Sequence, residues 1–182
     1  MMMTTHKLTA GAQFPTMTVT TLDGQHVELS QPQGNHDWKM VVVYRGKHCP
    51  LCTRYLNQLE TLKDQFSKVG VDIIAVSADS KEQALTHKEQ LNVTFPIAYG
   101  LTVSQMEQLG LYISEPRSEK ETDHLFAEPG LFVINDKGQL QIVDISNGPF
   151  VRPELKVLLS GIGFIRDPNN HYPIRGMYQG EA

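Results

Sequence analysis

The chain has 182 residues, 40% of them hydrophobic and 20% charged, which suits one folded domain and argues against disordered and coiled-coil classes. A net charge of −4 with no dense basic stretch makes nucleic acid and anionic membranes unexpected partners. The most apolar run, Met40–Tyr44, is far shorter than the roughly 20 residues of a membrane-spanning helix. No secretory signal is visible at the N-terminus, so a cytoplasmic location is expected.

The hydrophobic pattern predicts alternating strands and helices. In the first half it predicts a hairpin of residues 17–21 and 27–29 around Asp23-Gly24, a buried strand over 39–44, an amphipathic helix from Pro50 to near Gly70, a strand over 71–76 and a helix from Asp79 or Ser80 to about Leu91. In the second half it predicts a strand over 96–99, a helix over 103–109, a charged connection over 112–128, a hairpin of 130–134 and 140–145, and a last helix from Pro153 to about Leu159.

This order of elements predicts a single α/β domain over residues 1–182, with a mixed central sheet and helices on both faces. The last stretch, residues 161–182, shows no clear period but contains several apolar side chains. We therefore expect a C-terminal extension that packs on the domain or on a second subunit.

The two cysteines of the chain, Cys49 and Cys52, lie in one Cys-Pro-Leu-Cys unit between a predicted strand and a predicted helix. Cys49 falls at or near the helix N-cap, and Pro50 takes the favoured first helical position. Free backbone N–H groups and the helix dipole stabilise a thiolate there, and such Cys-x-x-Cys thiols have pKa values of roughly 3.5–7.5. A spacing of three on a helix also permits a disulfide, with Cys49 as the exposed attacking thiol and Cys52 as the more buried resolving one.

Other interpretations of the cysteine pair are open. His48, Cys49 and Cys52 could supply three zinc ligands, but a fourth would have to come from elsewhere. Covalent haem would need a histidine where Thr53 stands, and two inert thiols are a further alternative. Redox chemistry without a metal or other cofactor is the favoured hypothesis.

Several segments together resemble the peroxiredoxin-like branch of the alkyl hydroperoxide reductase and thiol-specific antioxidant (AhpC/TSA) family. They are Val43–Cys52, Ile74–Asp79, Pro129–Ile134, Asn147–Phe150 and Tyr172–Gly176, and the resemblance spans about residues 10 to 176. It implies a thioredoxin-like fold.

The chain departs from the pattern of that family at two positions. Typical peroxiredoxins carry a threonine three residues before the reactive cysteine and an arginine before the later strand, where this chain has Gly46 and Pro129. Those two groups would bind the peroxide and polarise its O–O bond, so their loss argues against efficient peroxide reduction. Arg45, Arg117 or Arg152 could substitute.

Pro129 and the residues before Cys49 each allow two interpretations. Pro129 resembles the cis proline that faces the cysteines in thioredoxin-type proteins, or it is an ordinary proline at the start of a strand. His48 would stabilise the thiolate when protonated, as would the charge of Lys47, or both are simply exposed. Arg45 is more often paired with a carboxylate than catalytic in such a place.

These observations predict a thiol-dependent oxidoreductase with an antioxidant role. Cys49 attacks a disulfide or a peroxide, and Cys52 resolves the product to a Cys49–Cys52 disulfide that a thioredoxin- or glutaredoxin-type thiol donor reduces. Thioredoxin-like disulfide exchange is the first hypothesis, a thiol peroxidase the alternative, and a redox switch or zinc-binding interaction module the third. A homodimer is consistent with the resemblance.

Overall fold

A seven-stranded mixed sheet runs through the computed structural model of the protein, which describes residues 6–180. The strands, in chain order, are β1 (Thr18–Thr21), β2 (His26–Glu28), β3 (Trp38–Val43), β4 (Val71–Val76), β5 (Ile97–Tyr99), β6 (Ile113–Ser114), β7 (Phe126–Ala127), β8 (Gly130–Ile134) and β9 (Leu140–Ile145). The large sheet has the order β2-β1-β5-β4-β3-β8-β9, and β6 pairs with β7 in a separate two-stranded sheet. Both predicted hairpins are confirmed.

The centre of the sheet is formed by β3, which pairs in parallel with β4 and antiparallel with β8. Its six residues are all buried, as expected of a β-branched run covered on both faces. Successive side chains point to opposite faces, so Met40 and Val42 join one hydrophobic cluster while Val41 and Val43 join the other. The predicted mixed sheet between two apolar layers is therefore confirmed.

Helices cover these two layers. They are α1 (Pro50–Glu60), α2 (Lys63–Lys68), α3 (Lys81–Lys88), α4 (Val103–Gln108) and α5 (Leu155–Arg166). Buried side chains of α1, α2 and α5 belong to the cluster of Met40, and Met106 of α4 belongs to that of Val41. Across the described residues, none of the helices is long and apolar enough to cross a membrane.

The prediction of one helix from Pro50 to near Gly70 is wrong, because the chain breaks between α1 and α2. The N–H groups of Thr61 and Leu62 donate to carbonyls three residues back, and the Thr61 hydroxyl donates to the carbonyl of Gln58 at 2.7 Å. A threonine hydroxyl bonded to the preceding turn competes with the helical pattern. Phe66 is nonetheless fully buried beyond the break.

The last helix begins at Leu155 with Glu154 as its N-cap and continues to Arg166, about seven residues beyond the predicted end. Gly161 and Gly163 lower helix propensity, which is why the pattern predicted an earlier stop. Leu158 and Ile162 are buried one turn apart, and this tertiary packing overrides the propensity.

The segment after α5 forms a short 3₁₀ turn over Pro168–Asn170 and then has no regular structure up to residue 180. Its end lies against the N-terminal part of the same chain, since a Cβ on Gly11 would lie 2.8 Å from Met177 Cε. Tyr172 meets Phe164 edge to face at 5.6 Å. The predicted packing of the tail on its own domain is seen, although Tyr178 remains exposed.

Candidate active site

The cysteine motif occupies the junction between β3 and α1. Cys49 is the N-cap of α1 in extended conformation, and Pro50 takes the first helical position, as predicted. The Cys52 N–H donates to Cys49 Sγ at 3.2 Å, so one of the free N–H groups at the helix start already points at this sulfur. A thiolate at Cys49 would be stabilised by the same group and by the positive end of the helix dipole.

Cys49 and Cys52 form a disulfide, with their Cα atoms 5.3 Å apart. Cys52 is fully buried and Cys49 is only 2% exposed. The sequence predicted an exposed Cys49, and in this oxidised form that expectation is wrong. The attacking and resolving roles of the two cysteines remain predictions.

Arg152 lies beside the disulfide although it is 100 residues away in the chain. Its Nη2 donates to Cys52 Sγ at 3.0 Å, and its guanidinium stacks over the Tyr55 ring at 5.0 Å. The Tyr55 hydroxyl donates to the carbonyl of Pro153 at 2.9 Å, which ties α1 to the segment that carries the arginine. Of the three arginines suggested as substitutes, Arg152 is the one hydrogen-bonded to a cysteine sulfur.

Gly46 has a φ of +134°, in the region that favours glycine, and the carboxylate of Asp79 fills the space beside it. A Cβ at position 46 would lie 2.9 Å from Asp79 Cγ, which is closer than real Cβ contacts. Asp79 is buried and accepts a hydrogen bond from the Lys47 N–H at 2.7 Å, and burial raises the pKa of its carboxyl. No side chain fits at position 46 in this arrangement.

Arg45 is bound by residues of the connection that precedes β8. Its Nε lies 3.2 Å from Glu128 Oε2, its Nη2 lies 3.8 Å from Glu121 Oε1, and its guanidinium stacks over the Phe126 ring at 4.7 Å. The predicted carboxylate pairing is therefore confirmed. Arg117 is also bound to Glu121, on the surface.

His48 packs edge to face on the Phe126 ring at 4.6 Å, and neither ring nitrogen has a hydrogen-bond partner. Burial, together with the charge of Arg45, lowers the pKa of His48 to about 4. In this disulfide form the low pKa favours a neutral imidazole, and the half-buried ring is not the simply exposed side chain of the second interpretation. The effect of His48 on a Cys49 thiolate stays a prediction. Lys47 is exposed, as one of its two interpretations had it.

Pro129 is buried just before β8, whose first residue, Gly130, pairs with Val43 at the end of β3. The described chain contains no cis peptide bond, so Pro129 is trans. It is an ordinary proline at the start of a strand, and the cis interpretation is wrong.

The zinc hypothesis finds no assembled ligand set. Within residues 6–180, no group of three or more His, Cys, Asp or Glu side chains is placed to hold a metal ion. His48 faces Phe126, and both cysteine sulfurs are engaged in the disulfide.

Two parts of the site carried little signal in the sequence. Phe126 belongs to a two-residue strand inside the connection predicted to be a charged loop, and no periodicity marks so short an element. His87 on α3, whose Nε2 lies 2.7 Å from the Thr53 hydroxyl on α1, is also fully buried. A third residue that the sequence did not single out for the site, Asp79, lies in the Ile74–Asp79 segment that resembles the family.

The relatives of the chain include both thiol–disulfide oxidoreductases and peroxiredoxins. It is 26% identical to the thiol-disulfide oxidoreductase ResA of Halalkalibacterium halodurans over 103 residues, which is 56% of this chain and 57% of that relative. The chain thus spans a little over half the length of that relative. It is 23% identical to a Mycobacterium tuberculosis protein classed by name as a peroxiredoxin, over 76% of this chain and 85% of the other.

Solved structures with the same fold include peroxiredoxins. The peroxiredoxin-like protein of Aquifex aeolicus superposes with a TM-score of 0.70 at 18% identity, over 86% of this chain and 87% of that one. The reduced 2-Cys peroxiredoxin of Plasmodium vivax superposes with a TM-score of 0.73 at 16% identity, over 90% and 85%. These likenesses confirm the predicted thioredoxin-like fold.

Most of the chain also matches the model of one protein family. The model described as AhpC/TSA family matches residues 10–143, a range that includes the cysteine motif, Asp79 and Pro129. Together with the Cys49–Cys52 pair and the named relatives, this match confirms the prediction of a thiol oxidoreductase. The chain belongs to the AhpC/TSA family.

Proposed function

We propose that the protein catalyses thiol–disulfide exchange through the Cys49–Cys52 pair. The observation that carries this proposal is the Asp79 carboxylate beside Gly46, which occupies the space that a hydrogen-bonding side chain at position 46 would need. With Gly46 and Pro129 in place of the threonine and the arginine, neither of the two groups expected to activate a peroxide is present at its usual position. The activation that remains, a thiol at a helix N-terminus, suits disulfide exchange.

The exchange follows from the placement of the two sulfurs. The Cys49 thiolate attacks one sulfur of a substrate disulfide, a new S–S bond forms, and the other substrate sulfur leaves as a thiolate. The Cys52 thiolate then attacks Cys49 Sγ, closes the internal disulfide and releases the second substrate thiolate. The substrate has gained two electrons and the protein has lost two, and a thioredoxin- or glutaredoxin-type thiol donor returns them.

The test compares two oxidants on one protein. In Cys52→Ser, which leaves Cys49 free, the second-order rate of Cys49 oxidation is measured with hydrogen peroxide and with oxidised glutathione. Each rate is divided by that of a small thiol at the same thiolate concentration. We expect the peroxide ratio to be near one and the disulfide ratio to be clearly larger.

Cys49→Ser is the control for both rates. It should lose both reactions, which would show that the rates belong to Cys49. A peroxide ratio of a hundred or more would overturn the proposal and make the protein a peroxidase, because such acceleration requires groups that polarise the O–O bond.

A peroxidase is the second candidate because one arginine does reach the cysteines. Arg152 donates to Cys52 Sγ at 3.0 Å, and the peroxiredoxin relative from M. tuberculosis is matched over 85% of its length. In that case Cys49 becomes a sulfenic acid as the peroxide is reduced, and Cys52 condenses with it to the same disulfide with loss of water. The comparison of the two ratios decides between the candidates.

The proposal includes a cellular location and an oligomeric state for the protein. A cytoplasmic location, predicted from the sequence, would supply the reducing thiols that reopen the disulfide. A homodimer is supported by Val157 and Phe164, two exposed apolar side chains seven residues apart on α5. Light scattering would reveal the dimer, and Val157→Asp should dissociate it.

A further inference from the structure

Arg152 approaches the leaving sulfur of the disulfide rather than the attacked one. Its Nη2 lies 3.0 Å from Cys52 Sγ, while Cys49 Sγ receives the backbone N–H of Cys52. Stacking on Tyr55 holds the guanidinium in this position. The two sulfurs therefore have different hydrogen-bond donors, one neutral and one cationic.

The guanidinium of Arg152 has no carboxylate within ion-pair distance among residues 6–180, whereas Arg45, Arg117 and Arg166 each have at least one. It is also partly buried, and burial lowers its pKa. Among the charged groups that act on it, Glu128 favours its charge and Arg45 opposes it, whereas the Tyr55 hydroxyl is neutral because burial raises its pKa. A partly buried cation without an anion at hand is costly, and a thiolate on Cys52 would supply the anion.

We propose that Arg152 stabilises Cys52 as a thiolate and thereby shifts the Cys49–Cys52 couple towards the dithiol, which makes the protein a stronger oxidant of other thiols. The inference rests on the proposed function in one respect, that the pair cycles between disulfide and dithiol. It goes further by assigning the redox poise of that pair to a residue outside the cysteine motif.

The step that Arg152 favours is the opening of the disulfide. A donor thiolate attacks Cys49 Sγ, a bond forms between these two sulfurs, and the Cys49–Cys52 bond breaks with its electron pair moving to Cys52 Sγ. The guanidinium 3.0 Å away stabilises this leaving thiolate. A second donor thiolate then attacks the donor sulfur of the mixed disulfide, so the donor leaves as its disulfide and Cys49 is released as a thiolate.

The first experiment measures the equilibrium between the full-length protein and glutathione at pH 7, for the unchanged protein and for Arg152→Met and Arg152→Lys. Methionine keeps the stacking length without the charge, and lysine keeps the charge. We expect Arg152→Met to favour the disulfide by at least about tenfold in the equilibrium constant, which is about 30 mV for this two-electron couple. Arg152→Lys should recover part of the difference.

Arg166→Met is the matched control. Arg166 also stacks over an aromatic ring, that of Trp38 at 4.8 Å, but its polar partner is Asp37 rather than a sulfur. Arg166→Met also removes an arginine stacked on an aromatic ring, but we expect it to leave the glutathione equilibrium unchanged.

The second experiment measures the thiol directly and does not need the pair to cycle. In Cys49→Ser the pKa of Cys52 is followed by thiolate absorbance, with and without Arg152→Met, and the same is done for Cys49 in Cys52→Ser. We expect the substitution to raise the Cys52 pKa by about one unit or more and to change the Cys49 pKa less.

The outcomes separate this inference from the proposed function. An unchanged Cys52 pKa together with an unchanged glutathione equilibrium would overturn the role of Arg152, whatever the substrate is. A raised Cys52 pKa in a protein whose Cys49 reacts with oxidised glutathione no faster than a small thiol would support the role of Arg152 and overturn the proposed function alone.

Discussion

Gly46 is the residue that most sharply separates this site from the family pattern. Its φ of +134° and the adjacent Asp79 carboxylate both require glycine. We expect Gly46→Ala to lower the free energy of unfolding by about 2 kcal/mol or more, because backbone strain and a steric clash add. Gly24→Ala is the control, since Gly24 also has positive φ but nothing within 4 Å of its Cβ position. Urea unfolding that gave equal losses for the two variants would contradict the clash.

His48 lies next to Cys49 in the chain but carries no charge at pH 7, because burial holds its pKa at about 4. We therefore expect His48→Phe, which preserves the edge-to-face contact with Phe126, to change the pKa of the Cys49 thiol by less than about half a unit. The titration is done in Cys52→Ser by thiolate absorbance. A rise of one unit or more would mean that His48 is protonated beside the thiolate.

At the scale of elements, the contact between α1 and α3 depends on a buried histidine. His87 bonds to Thr53, and burial lowers its pKa to about 4. Below about pH 6.5 the unfolded chain binds a proton that the folded chain does not, so stability is lost as the pH falls from 6.5 towards 4, by at most about 1.4 kcal/mol for each pH unit. His87→Gln should make this dependence shallower in urea unfolding between pH 7 and 4.5.

Thr53→Val provides the comparison for His87→Gln. It removes the same hydrogen bond but leaves the imidazole in place, so it should lower stability at every pH and keep the steep pH dependence. Equal pH profiles for the two variants would show that His87 is not the titrating group.

The helix α5 contains two glycines that weaken it without serving a contact. The position of a Cβ on Gly161 is open to 4 Å in all directions, and its φ is not positive. We expect Gly161→Ala to raise the free energy of unfolding by about 0.5–1 kcal/mol, because alanine loses less backbone entropy in a helix. Gly100→Ala, at an equally open site with a φ of +70°, should lower it instead. Thermal unfolding of both variants checks the contrast.

Across the whole molecule, local signals were sufficient for the central strands and for the cysteine turn. The β-branched run of β3 and the placement of Pro50 after Cys49 depend on neighbours in sequence, and both were predicted. Arg152 could be named only as a candidate, since its contact with Cys52 joins residues 100 positions apart and leaves no local pattern. The helical turn beyond Gly161 was missed for a related reason, because core packing rather than propensity holds it.

The contact between Arg152 and Cys52 also ties the stability of the whole chain to its redox state. Folding and oxidation form a closed thermodynamic cycle, and the unfolded chain does not hold Arg152 beside the sulfur. A tenfold change in the glutathione equilibrium on Arg152→Met must therefore reappear as about 1.4 kcal/mol in the unfolding free energy of the oxidised protein relative to the reduced one. Urea titrations of both redox forms measure this without any redox partner. If Arg152 acts as inferred, the unchanged protein gives up part of the stability that its disulfide could provide in order to remain easy to reduce.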